Sequence, residues 1–133
     1  MTNQDDVRRI ALSLPETTEQ PNRFEFRVRN KTFVAVYPER IHPKKARVPN
    51  PDGLVVRVAN LDEKDALLST SHEAFFTTDH YDGYASVIVW LSKLELDELE
   101  DLIVDAWYAM APPDLTAAFD AERDSVVVRE SDE

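Results

Sequence analysis

Three histidines, His42, His72 and His80, are the side chains of this sequence whose ordinary titration lies near neutrality. With Asp79 and Asp82 flanking the third, they supply the ligand types of a zinc site. None stands at the i, i+3 or i+4 spacing that sets two ligands on one helix face, so no metal is implied. Ser13, Ser69, Ser71, Ser86 and Ser92 offer hydroxyls without the glycine-flanked elbow that exposes a nucleophile. Two glycines leave no room for a phosphate-cradling loop, and the absence of cysteine removes disulfides and thiolate ligands. The carboxylates of the first helix and of Asp97–Asp105 read as solvated faces rather than iron sites. No catalytic residue and no cofactor is implied, and the expectation is a protein that is not an enzyme.

Charge is the stronger signal. The chain carries a formal net charge of −11. Residues 23–47 nevertheless hold eight basic side chains, Arg23, Arg27, Arg29, Lys31, Arg40, Lys44, Lys45 and Arg47, against Glu25 and Glu39, a local net of +6. Residues 61–133 hold four basic side chains and nineteen acids, a net of −15. Asymmetry of this kind suggests a polar partner for one surface.

These side chains must be placed by a small scaffold. At 133 residues the chain is long enough for one domain with its own core. The spacing of Val7, Ile10, Ala11 and Leu14 predicts a helix capped by Asp5 or Asp6 and stopped by Pro15. Glu16–Asn22 reads as a polar connection. Phe24, Phe26 and Val28 then alternate with charged residues, the period of a half-buried strand. A tight turn at Asn30-Lys31 returns the chain as Thr32–Tyr37, apolar on both faces and so deeper in the sheet. On that register Arg27 and Arg29 share a surface, and a slip of one residue reverses the inference.

Pro38–Gly53 reads as a long loop with a Pro51-Asp52-Gly53 turn. Leu54–Ala59 is the next strand, and Asp62 with Asp65 opens a short helix to Thr70 burying Ala66 and Leu67 or Leu68. Ala74–Thr78 is a short strand. His80–Gly83 forms a polar, aromatic turn before Val87–Leu91, the strongest strand signal of the chain. Asp97 and Glu100 start a helix whose apolar stripe runs Leu99, Leu102, Ile103, Ala106, Trp107 and Met110. Pro112-Pro113 ends it, and a last short helix carries Leu115, Ala118 and Phe119. Trp90 and Trp107 fall on apolar stripes and read as core. Residues 123–133 read as a flexible acidic tail, with Val126–Val128 as a candidate edge strand. The expected class is α+β, an antiparallel sheet of about five or six strands with helices packed on it, in a single domain over residues 1–122.

In that order the chain resembles the MmcQ/YjbR family of small bacterial proteins. The resemblance is carried by Leu12–Glu19, by Phe26–Phe33, by Ala74–Tyr84, and by Val87–Leu91 followed by Asp97–Leu99, Ala106-Trp107, Ala111-Pro112 and Leu115. It implies a CyaY-like (frataxin-like) fold and a partner in double-stranded DNA, held by a double-wing arrangement of strands and loops. The implied contacts are Arg27, Arg29 and Lys31 on the strand pair and Lys44, Lys45 and Arg47 on the loop, cations suited to phosphates. Asp114 departs from the basic residues the family places after Ala111-Pro112. His80, Tyr81 and Tyr84 lie on the best-matched turn and are candidates for a ligand pocket. The alternative is a protein partner, with this chain as an acidic adapter. The first residues have no apolar signal core, and no apolar run reaches the ~20 residues of a membrane span, so no membrane partner and a cytoplasmic location are expected.

Overall fold

The computed structural model describes the backbone of residues 1–131 and the side chains up to Glu122. Its helices begin where a polar side chain accepts otherwise orphaned N–H groups. Asn3 caps α1 (Gln4–Leu12): its side chain accepts from the Asp6 amide at 3.1 Å, and Asp6 returns the bond to the Asn3 amide. Asp6 is therefore the reciprocal partner and not the cap. Asn60 rather than Asp62 caps α2 (Leu61–Leu68), and Glu95 with Glu98 rather than Asp97 with Glu100 opens α3 (Leu96–Met110). In each case a cap-competent residue stands upstream of the expected one, and the displaced acid settles into the first turn, where the helix dipole favours it. The helix α4 (Pro113–Ser131) starts on a proline. Val126–Val128 thus lie on a helix and not on an edge strand. The side chains from Arg123 onward and residues 132–133 lie outside the described residues, so of the expected acidic tail only the backbone up to Ser131 is described, as part of α4.

Six strands, β1 (Thr17–Glu19), β2 (Glu25–Val28), β3 (Lys31–Glu39), β4 (Val48–Arg57), β5 (Phe75–Phe76) and β6 (Ser86–Trp90), form one antiparallel sheet in the order β1-β2-β3-β4-β6-β5. Six strands and four helices make the α+β class that the sequence implied, with β3 in the interior as its two apolar faces required. The strand β1 falls in the segment expected to be a polar connection, because Thr17, Thr18 and Glu19 give no apolar alternation.

Cross-strand register sorts the side chains onto two faces. Phe26, Val34, Val56 and Val87 line up across four strands and enter the core beneath α1 and α3. Trp107 is fully buried there and donates its indole N–H to the Pro15 carbonyl at 3.0 Å. The opposite face carries the row Glu25, Ala35, Val55, Ile88 and Phe76. On it Tyr37, Phe76 and Trp90 build a second apolar cluster, with Phe76 stacked on Trp90 at 4.6 Å. Trp107 is core as expected; Trp90 is only half-buried and belongs to this outer cluster.

Two local geometries depart from the sequence expectation. The β2–β3 turn is Arg29-Asn30 and not Asn30-Lys31, because Val28 pairs with Lys31 and both turn residues are left-handed, φ 44° and 71°. Pro38–Gly53 is not one long loop. β3 and β4 continue as a paired arm, Tyr37 opposite Asn50, Pro38 opposite Pro49 and Glu39 opposite Val48, and only residues 40–47 form its tip. The neighbouring strands end before the arm begins, so neither its Pro38 nor its Pro49 denies a hydrogen bond to a third strand. Pro51-Asp52-Gly53 is a bulge at the arm's base, not a turn, pinned where Asp52 accepts from the Ser92 amide and hydroxyl at 2.9 and 2.7 Å. Gly53 is required: a Cβ there would lie 2.7 Å from the Tyr37 Cβ.

Candidate functional site

The basic side chains of residues 23–47 divide between the two ends of β3. At one end, Arg27 donates to Glu25 at 2.6 Å, and Glu25 also accepts from Thr32 at 2.7 Å with Arg23 3.4 Å away. Burial opposes ionisation of Glu25, but the bonds from Thr32 and Arg27 and the charges of Arg27 and Arg23 outweigh it and hold the carboxyl below its ordinary range. Arg29 leaves the strand for the turn, grips Glu16 through two bonds of 2.9 Å, and lies 3.2 Å from Asp114. Arg27 and Arg29 therefore do not share a surface, and each is spent on a carboxylate. The shift of the turn by one residue is the reason. Lys31 is exposed beside that turn.

The arm presents the other group. Its tip, Arg40 to Arg47, contains four cations and no acid, and all of it except Arg47 is exposed. Arg40 donates to the Pro43 and Lys45 carbonyls at 3.1 and 3.2 Å, and Arg47 donates to the Pro38 carbonyl at 3.4 Å, so both arginines shape the tip. The Lys44 amide donates to His42 Nδ1, and Lys44 and Lys45 are both exposed. Ile41 is 72% exposed at the same tip. Arg40 was not singled out in the sequence. Its signal was there, since residues 40–47 hold four cations in eight positions without an acid. At roughly 3.3 Å per residue, the nine residues of β3 hold this tip about 25–30 Å from Lys31, too far for one continuous patch.

His80, Tyr81 and Tyr84 do come together. With Arg57 and Ser86 they wall a cleft of about 180 Å³ on the outer face of the sheet. Arg57 and Ser86 are cross-strand partners, and the turn beyond β5 folds over them. Lys64 of α2, only 5% exposed, holds that turn by donating to the Tyr81 and Tyr84 carbonyls at 2.6 and 2.8 Å. The expected apolar face of α2 holds in part: Leu67 and Leu68 are half-buried against the core, but Ala66 is exposed and Lys64 is the buried residue. Arg57 and Ser86 interrupt apolar strands, a signal that sequence reasoning passed over. The Tyr81 phenol is raised chiefly by burial, with the Arg47 charge working the other way, so Arg47, where the tip rejoins β4, lies within electrostatic reach of the cleft.

The remaining histidines serve local structure. His72 Nδ1 accepts from the Ala74 amide, leaving Nε2–H to donate to Glu98 at 2.8 Å. Among the described residues no group of three or more histidines and acids converges to hold a metal. Acids crowd α3 instead. Asp105 is pushed up by burial and by the nearby charges of Asp101 and Glu63, beside a groove lined by Leu67, Leu102 and Tyr108.

Sequence comparison places this arrangement. A sequence model described as YjbR matches residues 12–109, well over half of the chain. The chain belongs to the YjbR family. Uncharacterized protein Rv2570 of Mycobacterium tuberculosis and uncharacterized protein Mb2600 of Mycobacterium bovis are each 38% identical to it over 125 residues, 90% of this chain and 96% of theirs. No solved structure matches it. Within the YjbR match lie both the arm and the turn that walls the cleft. No helix among the described residues is long and apolar enough to cross a membrane.

Proposed function

We propose that this YjbR protein is a non-enzymatic binding protein that grips duplex DNA with a single wing, the β3–β4 arm. The supporting observation is the tip itself: four cations without an acid, carried clear of the acidic body on a two-stranded projection. Lys44 and Lys45 are the phosphate contacts, and Arg40 and Arg47 hold the tip in shape while adding charge. The strand-pair wing implied by the family resemblance is left out, since Arg27 and Arg29 are engaged by Glu25, Glu16 and Asp114. Covering of the sheet by α1 and α3 on one side supports the CyaY-like kinship.

Fluorescence anisotropy with a labelled duplex tests this. Four phosphates neutralised, two by the lysine contacts and two by the arginine charges, give a slope of log affinity against log salt near −3.6, a loss of roughly 150-fold between 50 and 200 mM. Replacing Lys44 and Lys45 by glutamine lowers affinity and reduces the slope by about 2 units. Absence of binding at 50 mM salt, or binding indifferent to those two lysines, sinks the reading.

One observation favours a second reading, an adapter for a protein partner. Glu63 and Asp105 line a partly apolar groove between α2, α3 and β4, with the charge of Asp101 close to Asp105, an arrangement complementary to a basic, partly apolar segment. A partner recovered by pull-down and lost on changing Glu63 and Asp105 to glutamine and asparagine would establish it.

A further inference from the structure

Arg57 is the exception among the arginines. Every other arginine whose side chain is described has an acceptor: Arg8, Arg9, Arg23, Arg27 and Arg29 a carboxylate, Arg40 and Arg47 a backbone carbonyl. The Arg57 side chain has neither among the described residues, and its Nε is buried with no acceptor from the protein. The other buried side-chain polar atom in that position is Thr78 Oγ1, at the root of the turn that closes over Arg57. A buried guanidinium N–H left without an acceptor calls for an explanation, because buried N–H and O–H groups are satisfied almost everywhere.

The surroundings say what acceptor belongs there. Arg57 shares its cleft with Ser86, His80, Tyr81 and Tyr84. Each of these can donate a hydrogen bond, and a guanidinium fork matches the two oxygens of a carboxylate or phosphate. The carboxylates of the turn, Asp79 and Asp82, are not among the walls. Lys64 sits behind the turn with its ammonium on the Tyr81 and Tyr84 carbonyls, and the Arg47 charge reaches Tyr81 from the arm side, so two further cations attend the cleft. The cleft holds about 180 Å³, a handful of water volumes at ~30 Å³ each, and its tyrosine walls suit a small flat body.

We propose that this cleft is a binding site for a small oxyanion, a carboxylate or phosphate group on a small molecule, seated on Arg57 and Ser86 beneath the His80–Tyr84 turn. The site is separate from the arm tip and does not depend on DNA binding.

The test is an NMR titration of the full chain with sodium benzoate and, separately, with inorganic phosphate, each up to about 20 mM, a range that captures millimolar affinity. Saturable shifts of the Tyr81, Tyr84 and Ser86 amides are expected with at least one probe. Benzoate alone assigns the site to carboxylates and phosphate alone to phosphates. Arg57→Gln weakens the response by about tenfold or more, and Arg57→Lys, which keeps the charge and loses the fork, weakens it as well should the glutamine variant fold poorly. The double variant Lys44→Gln/Lys45→Gln leaves the response intact. The proposal is overturned if neither probe shifts the cleft saturably, if Arg57 variants respond as the wild type does, or if the shifts map to residues 40–47.

Discussion

Glu16 and Arg29 face each other through two hydrogen bonds of 2.9 Å, and both residues hold left-handed backbones, φ 53° and 44°. Neither is glycine, so each conformation carries a steric cost that its partner helps to hold. Asp114 completes the knot, tying the connection after α1, the β2–β3 turn and the start of α4 together. The Arg29 bond holds Glu16 below the usual carboxylate range, and the Glu16 bond raises Arg29. Arg29→Gln is therefore expected to lower Tm modestly, and the loss should shrink in molar salt because the pair is exposed. The Glu16 contribution is present above the unfolded carboxylate pKa and fades as pH falls through the depressed folded value. If Arg29 acts structurally, the same variant leaves duplex affinity unchanged in anisotropy.

Glu25 is the buried counterpart of that pair. Its folded pKa is depressed, so its stabilisation is complete above the ordinary carboxylate range of about pH 4–5 and is lost on further acidification. Glu25→Gln should cost about 1–2 kcal/mol at neutral pH. Thermal melts of variant and wild type at several pH values should converge at the acid end. A gap that widens toward acid would contradict the assignment.

Gly53→Ala forces a methyl group into the Tyr37 ring, 2.7 Å from Cβ and 2.8 Å from Cδ2. The ring must move off Phe76 and Trp90, at an expected cost of about 1–3 kcal/mol. Near-ultraviolet circular dichroism and tryptophan fluorescence should report the loosened cluster, while the helix signal stays.

Lys64→Met keeps the bulk of the side chain and leaves the Tyr81 and Tyr84 carbonyls without their donor. About 1–3 kcal/mol of stability should be lost. Hydrogen exchange should quicken at the Tyr81 and Tyr84 amides, whose bonds to Thr78 and Tyr81 close the turn. Unchanged exchange there would show that α2 does not hold the turn.

The periodic parts of the fold were legible. Two-residue alternation marked β2, a short β-branched apolar run marked β6, a helical stripe marked α3, and Trp107 lay where that stripe placed it. What escaped was decided by neighbours in space rather than in sequence. Thr17–Glu19 is a strand only because β2 accepts it as an edge, and Lys64 is buried only because two carbonyls of a distant turn meet its ammonium. The candidate site shows the same division. His80, Tyr81 and Tyr84 could be picked out from a local turn signal, whereas Arg57 joined them through the β4–β6 register. Charge counting found the basic segment and could not see that β3 would separate it into two ends, nor that Glu16 and Glu25 would claim one of them.

The prolines facing each other at positions 38 and 49 have a bearing on colloidal behaviour. A bare ribbon projecting past its sheet would ordinarily recruit the ribbon of a neighbouring molecule and seed fibrous growth. Here each flank is missing an amide hydrogen at the same level, so a second molecule finds no ladder to extend. The protrusion can reach outward while staying unattractive to copies of itself.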